Sequence, residues 1–286
     1  MREIGEQFWS CAQKLTHHTI VTRFRSKDNN SHGLPQSIAT SLSYADAIVL
    51  LTPQILPETF FKSAQKKGAR IMLFYNTAKG LVERCLQTQS AKTSHLSRRL
   101  ADIFSIGKSI QLLCPNGTDV TFEIARNKGI IADTGCALHA GEMTSIPAGE
   151  ASVLLGKKSV HGSVVLDRIA GQKNPWDKPI ELRIKEGYIT QIKGGSDAEV
   201  LRKTIRKFGK AGRHVFDLGL GTNDKVKLGA SALEDEKAIG TAHIRMGQDR
   251  VIGKQGKMIP AIRGMILKPT IRIDGRLIID DGGILV

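Results

Sequence analysis

From Ser109 onward the chain is a succession of short β runs cut by Gly, Asn and Asp, and no other feature confines its fold as tightly. The runs SIQLLCP, DVTFEIA, GIIADTG, ASVLLG, GSVVLD, IELRIKEG and YITQIKG each gather or alternate apolar residues before a turn residue stops them. Such spacing builds an antiparallel or barrel-like sheet. Near the end, MILKPTIRI and RLIIDD flank Asp274-Gly275, a pair that tolerates the positive φ angles of a two-residue hairpin turn. Two helices interrupt the β pattern. Asp197 to Lys210 sets Val200, Leu201, Ile205 and Phe208 on one face and Arg202, Lys203, Arg206 and Lys207 on the other, and a shorter helix is expected from Leu233 to Met246.

Upstream of Gly107 the periodicity changes. TIVTRFR, residues 19 to 25, alternates like a strand, and a polar loop and a short helix, Leu34 to Leu42, follow. AIVLLTP (Ala47 to Pro53) suits a buried parallel strand, and a helix from Glu58 to Lys67 leads to a second strand, ARIMLFY (Ala69 to Tyr75). Strand, helix and strand in this order make a βαβ unit. Ser94 to Ile106 then forms a helix with Leu96, Leu100 and Ile103 opposite Arg98 and Arg99. Single hydrophobic cores stop growing at roughly 250 residues. The expected organisation is therefore an α/β N-terminal domain with a parallel sheet, truncated Rossmann-like, over residues 1–107, and a β-rich α+β domain over 108–286.

The chain carries 42 Lys and Arg against 27 Asp and Glu, a formal net charge of +15. A field of that sign draws polyanions. Aromatic residues are only 5% and do not interleave with the basic clusters, so a peptide or acidic protein segment ranks above nucleic acid as a partner. No apolar run approaches the ~20 residues of a membrane span, and the start MREIGEQFWS lacks a signal peptide's apolar stretch. No membrane association is expected, and the expected compartment is the cytoplasm. Cys11, Cys85, Cys114 and Cys136 lie far apart without a CxxC pair, which points to reduced thiols.

Motifs for common chemistries are missing: no G-x-S-x-G elbow, no Walker loop and no G-x-G-x-x-G after a strand. The GLGTN of Gly219 to Asn223 lacks a third glycine. What remains are carboxylates and histidines near Gly-rich segments: His139, Glu142, Glu150, Asp217, Glu234, Asp235, Glu236 and His243. A hydrolytic metal site needs such oxygens and imidazole nitrogens converging on one point. Spacing alone does not decide it, since a lone His243 near a helix end is more often a hydrogen-bonded core residue.

The segments GKSIQLLCPNGTDVTFEIA, SIPAGEASVLL, HGSVVLD, DLGLGTN, LEDEKAIGTAHIRMG and GMILKPT resemble, in order, signature stretches of the aminopeptidase T (thermophilic leucyl aminopeptidase) family, which includes the ring-cleaving dihydroxypyridine dioxygenase branch. The resemblance runs from about Tyr44 to the C-terminus and implies metal-ligand positions at Glu150, Asp217 and His243. It also implies a His-x-Asp pair, and there the sequence has Ala261 and Arg263. Family members usually begin with an additional strand and helix that this chain is expected to lack, and they tend to be homodimers.

Two readings follow from the resemblance. In the first, the lost ligand pair leaves a degenerate aminopeptidase-like protein, with no metal or other cofactor and no metallopeptidase activity. Arg263 would then fork between Glu150 and Asp217. Arg263, Arg250, Lys254 and Lys257 would bind a peptide or acidic segment for a partner enzyme, for example in maturing a peptide natural product. In the second, Glu150, Asp217 and His243 hold a single metal for aminopeptidase or ring-cleaving chemistry.

Overall fold

The computed structural model describes residues 2–24, 36–52, 61–75, 91–125, 129–156, 158–172, 178–247 and 261–286. Contacts group the chain into two units, residues 1–87 with 135–147, and 88–134 with 148–286. The first unit opens with α1 (Arg2–Gln13), α2 (Gln36–Leu42), β1 (Ala47–Thr52), α3 (Lys62–Lys66) and β2 (Arg70–Tyr75). The second begins with α4 (Ala91–Ile106), β3 (Ser109–Cys114), β4 (Thr118–Glu123) and β5 (Ile130–Asp133). The chain returns to the first unit for β6 (Met143–Ile146). The second unit then takes β7 (Glu150–Leu154), β8 (His161–Leu166), β9 (Arg168–Ile169), β10 (Ile180–Lys185), β11 (Tyr188–Lys193), α5 (Ser196–Arg206), α6 (Gly209–Gly212) and β12 (Val215–Gly221). It closes with α7 (Ala232–Lys237), β13 (Thr241–Met246), β14 (Ile262–Leu267), β15 (Thr270–Ile273), β16 (Arg276–Asp280) and β17 (Gly283–Ile284).

In the first unit β1, β2 and β6 form a parallel sheet in that order. Ile48 and Leu50 alternate inward from β1 and pack with Phe61, Ala64, Ile71 and Leu73, which is what the apolar run at 47–53 requires. Residues 19–24, expected as a strand, take no regular structure. A strand needs a neighbour, and among the described residues this sheet holds β1, β2 and β6 and no further strand. Instead the segment runs back along α1, with Trp9 Nε1 donating to Thr19 Oγ1 and Arg23 pairing with Glu6.

The second unit has two antiparallel sheets, one of eight strands (β11-β10-β8-β4-β3-β15-β16-β17) and one of six (β5-β7-β12-β13-β14-β9). Both feed one core: Leu112, Phe122, Val164 and Leu182 from the first, Val153, Leu218, Ile244 and Ile266 from the second, with Leu100 and Phe104 of α4. The expected boundary at Gly107 thus falls behind a helix that packs with the second unit, while residues 135–147 group with the first. The Asp274-Gly275 turn forms as read, with φ of 48° and 83°. Its Asp274 carboxylate accepts from the backbone N–H groups of Lys108 and Ser109. The helix expected over 233–246 stops at Lys237. Gly240 turns at φ 80°, and TAHIRM is a strand whose Ala242, Ile244 and Met246 enter the core, so a period of two overrides the helical reading. The chain is α+β with mixed sheets. Among the described residues, no helix is long and apolar enough to cross a membrane.

Candidate functional site

The six-stranded sheet turns one face to the core and presents charged residues on the other. Register aligns Ser152, Gly219, His243 and Met265 across β7, β12, β13 and β14, and beside them Leu154, Asp217, Arg245 and Arg263. Glu150 stands opposite Gly221 on one side and Asp133 on the other. Alternation on β12 sends Leu218 and Leu220 into the core and leaves Asp217, Gly219 and Gly221 on the polar face. The two glycines are room for neighbours. A Cβ on Gly219 would come within 2.3 Å of the His243 ring and 2.7 Å of Glu150 Oε1, and one on Gly221 within 2.0 Å of the Ala238 carbonyl oxygen. The GLG of the sequence therefore serves close packing around a charged site.

Glu150, Asp217 and His243, distant in sequence, each offer a ligand atom within 4.8 Å of the others, an arrangement able to hold a metal ion. All are buried, at 2%, 1% and 0% exposure, and buried charge must be paired. His243 Nε2 lies 3.2 Å from Glu150 Oε1 but off a hydrogen-bonding direction, and neither ring nitrogen has a hydrogen-bond partner among the described residues.

The compensating cations are Arg245 and Lys237. Arg245 Nη2 lies 2.5 Å from Glu150 Oε1 and its Nη1 3.3 Å from Asp217 Oδ1, so one guanidinium spans the two carboxylates. Lys237 Nζ reaches Glu150 Oε2 and lies 2.8 Å from Asp133 Oδ2. Glu150 and Asp133 are cross-strand neighbours whose like charges would repel without it. Burial alone would raise the Glu150 carboxyl, but Arg245, Lys237 and His243 outweigh it and hold the group well below the usual carboxylate range. Burial would likewise lower Lys237, yet Asp133, Glu150 and Glu236 keep its ammonium above the ordinary lysine value.

Arg263 sits on the face that strand alternation assigns it, directly opposite Arg245. Its guanidinium does not fork between Glu150 and Asp217 as expected. Arg263 Nε lies 2.6 Å from Glu236 Oε1, and Glu236 Oε2 is 3.6 Å from Arg245, so Glu236 separates two facing arginines. Arg245 sits one strand nearer Asp217 and takes the place between the carboxylates. Ala261, two residues before Arg263, brings no ligand side chain. Arg250, Lys254 and Lys257, the other expected ligand-binding residues, lie outside the described residues.

The acidic LEDEK segment divides its work. Ser231 caps α7 by accepting from Glu234 N–H, and the Glu234 carboxylate returns to the Ser231 hydroxyl at 3.2 Å. Asp235 holds two loops through the Gly229 and Gly171 N–H groups. That geometry aims Glu236 and Lys237 at the site. Glu142 accepts from the Leu138 and His139 N–H groups in a turn of the first unit. Lys237, Arg245 and Asp133 escaped the sequence reading. For Arg245 a signal existed: it lies two residues after His243 and shares its strand face.

The family model described as NicX, 2,5-dihydroxypyridine 5,6-dioxygenase, matches residues 7–254. No protein of curated function matches the chain. Among solved structures, the 2,5-dihydroxypyridine dioxygenase from Pseudomonas putida KT2440 aligns with a TM-score of 0.75 at 20% identity, over 87% of this chain and 74% of that one. Wild-type AmpT from Thermus thermophilus aligns with a TM-score of 0.59 at 14% identity, over 88% of this chain and 79% of that one. These likenesses show a common fold, and with a family model spanning most of its length the chain belongs to the NicX (2,5-dihydroxypyridine 5,6-dioxygenase) family.

Proposed function

We propose that this protein is a degenerate member of its family, without a metal, that works by binding a peptide or acidic protein segment and holding it for a partner enzyme. The observation that carries the reading is Arg245, whose guanidinium lies against Glu150 and Asp217 where a metal would need their oxygens. Lys237 holds the other oxygen of Glu150, and the positions of the family's His-x-Asp pair have become an alanine and an arginine. A divalent ion bound there would have to displace Arg245 from Glu150 and Asp217 and compete with Lys237 for Glu150. Arg matches paired carboxylates in a way a single metal otherwise would, so the fold keeps its buried acids without an ion. That pairing supports the metal-free reading.

His243 favours a second reading. A buried imidazole with no hydrogen bond on either nitrogen among the described residues is a ligand in waiting, and Glu150, Asp217 and His243 with a water make a catalytic ligand count. Such a site would require Arg245 to swing away, and aminopeptidase or ring-cleaving chemistry would follow. Elemental analysis of protein purified without chelator separates the two readings. Substoichiometric metal is expected, and stoichiometric zinc or iron would overturn the first reading in favour of the second.

A further inference from the structure

We infer that the edge of β11, which no strand of the described residues covers from Thr190 to Lys193, forms with the basic helix beside it a docking strip for an acidic peptide in extended conformation. The inference deepens the binding reading above and places the peptide away from the cation-filled site, on the other sheet. β11 ends the eight-stranded sheet. Among the described residues its outer side is met at its start, where Tyr188 bridges to His214 and Ile189 N–H donates to the Arg213 carbonyl. From Thr190 to Lys193 the described sheet places no strand there, and the Ile192 carbonyl accepts from the Arg202 guanidinium. An unpaired edge offers backbone donors and acceptors to an added strand.

Two adjoining clefts, one of about 240 Å³ along this edge and a wide, shallow one of about 680 Å³ at the β10–β11 turn, share Ile189, Thr190 and Arg213. The smaller one lies between β11 and α5. Ile189 and Ile205 give it an apolar floor, and Arg202, Arg206 and Arg213 line it. Lys185, Lys210 and Arg213 line the larger, where Glu186 is the acid. Arg202 is paired with Glu199, but Arg206, Lys210 and Arg213 are exposed and have no carboxylate within ion-pair distance among the described residues.

Arg206, Lys210 and Arg213 stand across the clefts from the edge, on α5, α6 and the turn before β12, so an entering strand would have β11 on one side and cations on the other. A second copy of the chain is a poor occupant, because the same cations would face each other. A nucleic-acid base finds no bare ring, since Lys210 Nζ lies 4.8 Å over Tyr188 and the His214 ring packs 5.2 Å from it. A strand alternating acidic and apolar side chains satisfies the edge, the floor and the rim together.

The test is fluorescence anisotropy of the full chain with a labelled peptide of alternating Glu and Val. Binding that weakens with added salt is expected, together with a loss of about tenfold on N-methylating alternate peptide amides, because edge hydrogen bonds disappear. Arg206→Glu with Arg213→Glu should remove binding while circular dichroism stays unchanged, both side chains being exposed. Equal binding of a Lys-Val peptide, indifference to N-methylation, preference for a single-stranded oligonucleotide, or self-association lost in the double variant would overturn the proposal. Metal content is a separate readout. A metal-loaded protein that binds the peptide sinks the degenerate site alone, and a metal-free protein that ignores it sinks the strip alone.

Discussion

Replacing Arg245 by alanine removes the cation that spans Glu150 and Asp217 and tests the centre of this account. The guanidinium is 15% exposed and its two partners are 3% and 2% exposed, so water offers these carboxylates little compensation. Breaking a buried pair by deleting one partner costs about 3–5 kcal/mol. In a chain of this size that corresponds to a fall in unfolding midpoint of roughly 10 °C, taking about 2–4 °C per kcal/mol. On the proposed metal-free reading, the variant should also open Glu150, Asp217 and His243 to a divalent ion. Zinc at about a hundred times its dissociation constant would then return about 2.7 kcal/mol. Differential scanning fluorimetry with and without zinc, alongside metal analysis, reads both effects. Arg245→Lys should recover only part of the stability, because an ammonium cannot fork between two carboxylates. A variant as stable as the wild type, or a wild type that zinc stabilises just as much, would show that Arg245 does not stand in for a metal between the two carboxylates.

Two further perturbations check the surrounding structure. Gly219→Ala should destabilise by about 1–3 kcal/mol, because its Cβ would fall on the His243 ring and on Glu150, and a chemical denaturation midpoint equal to wild type would mean the sheet gives way more easily than its packing implies. Asp274 accepts hydrogen bonds from Ser109 and Lys108, which hold its carboxyl below the ordinary value, so its contribution is present above the unfolded pKa and lost as pH falls through the folded one. Asp274→Asn should therefore flatten that acid-side loss in a pH series of thermal midpoints, and an unchanged profile would show that the turn carboxylate has no such role.

The local order of this protein was written in its residues. Alternating runs after Ser109, the apolar stretches at 47–52 and 70–75, and the Asp-Gly turn each became the element that period and turn chemistry demanded, because those signals act between near neighbours. Convergence of Glu150, Asp217 and His243 was legible through resemblance. Three matters were decided only by the tertiary structure. Thr241–Met246 is a strand because sheet neighbours on both sides complete its hydrogen bonds, whereas residues 19–24 alternate just as well and find no sheet position. Residues 135–147 leave the β-rich unit because β6 pairs with β2, some seventy residues earlier, and completes the parallel sheet. The choice of cation was the third. Sequence named Arg263, but cross-strand register sets Arg245 beside Asp217 and leaves Arg263 one strand further out, where Glu236 meets it. Coulomb attraction falls off over ångströms, and only the pairing of strands fixes ångströms.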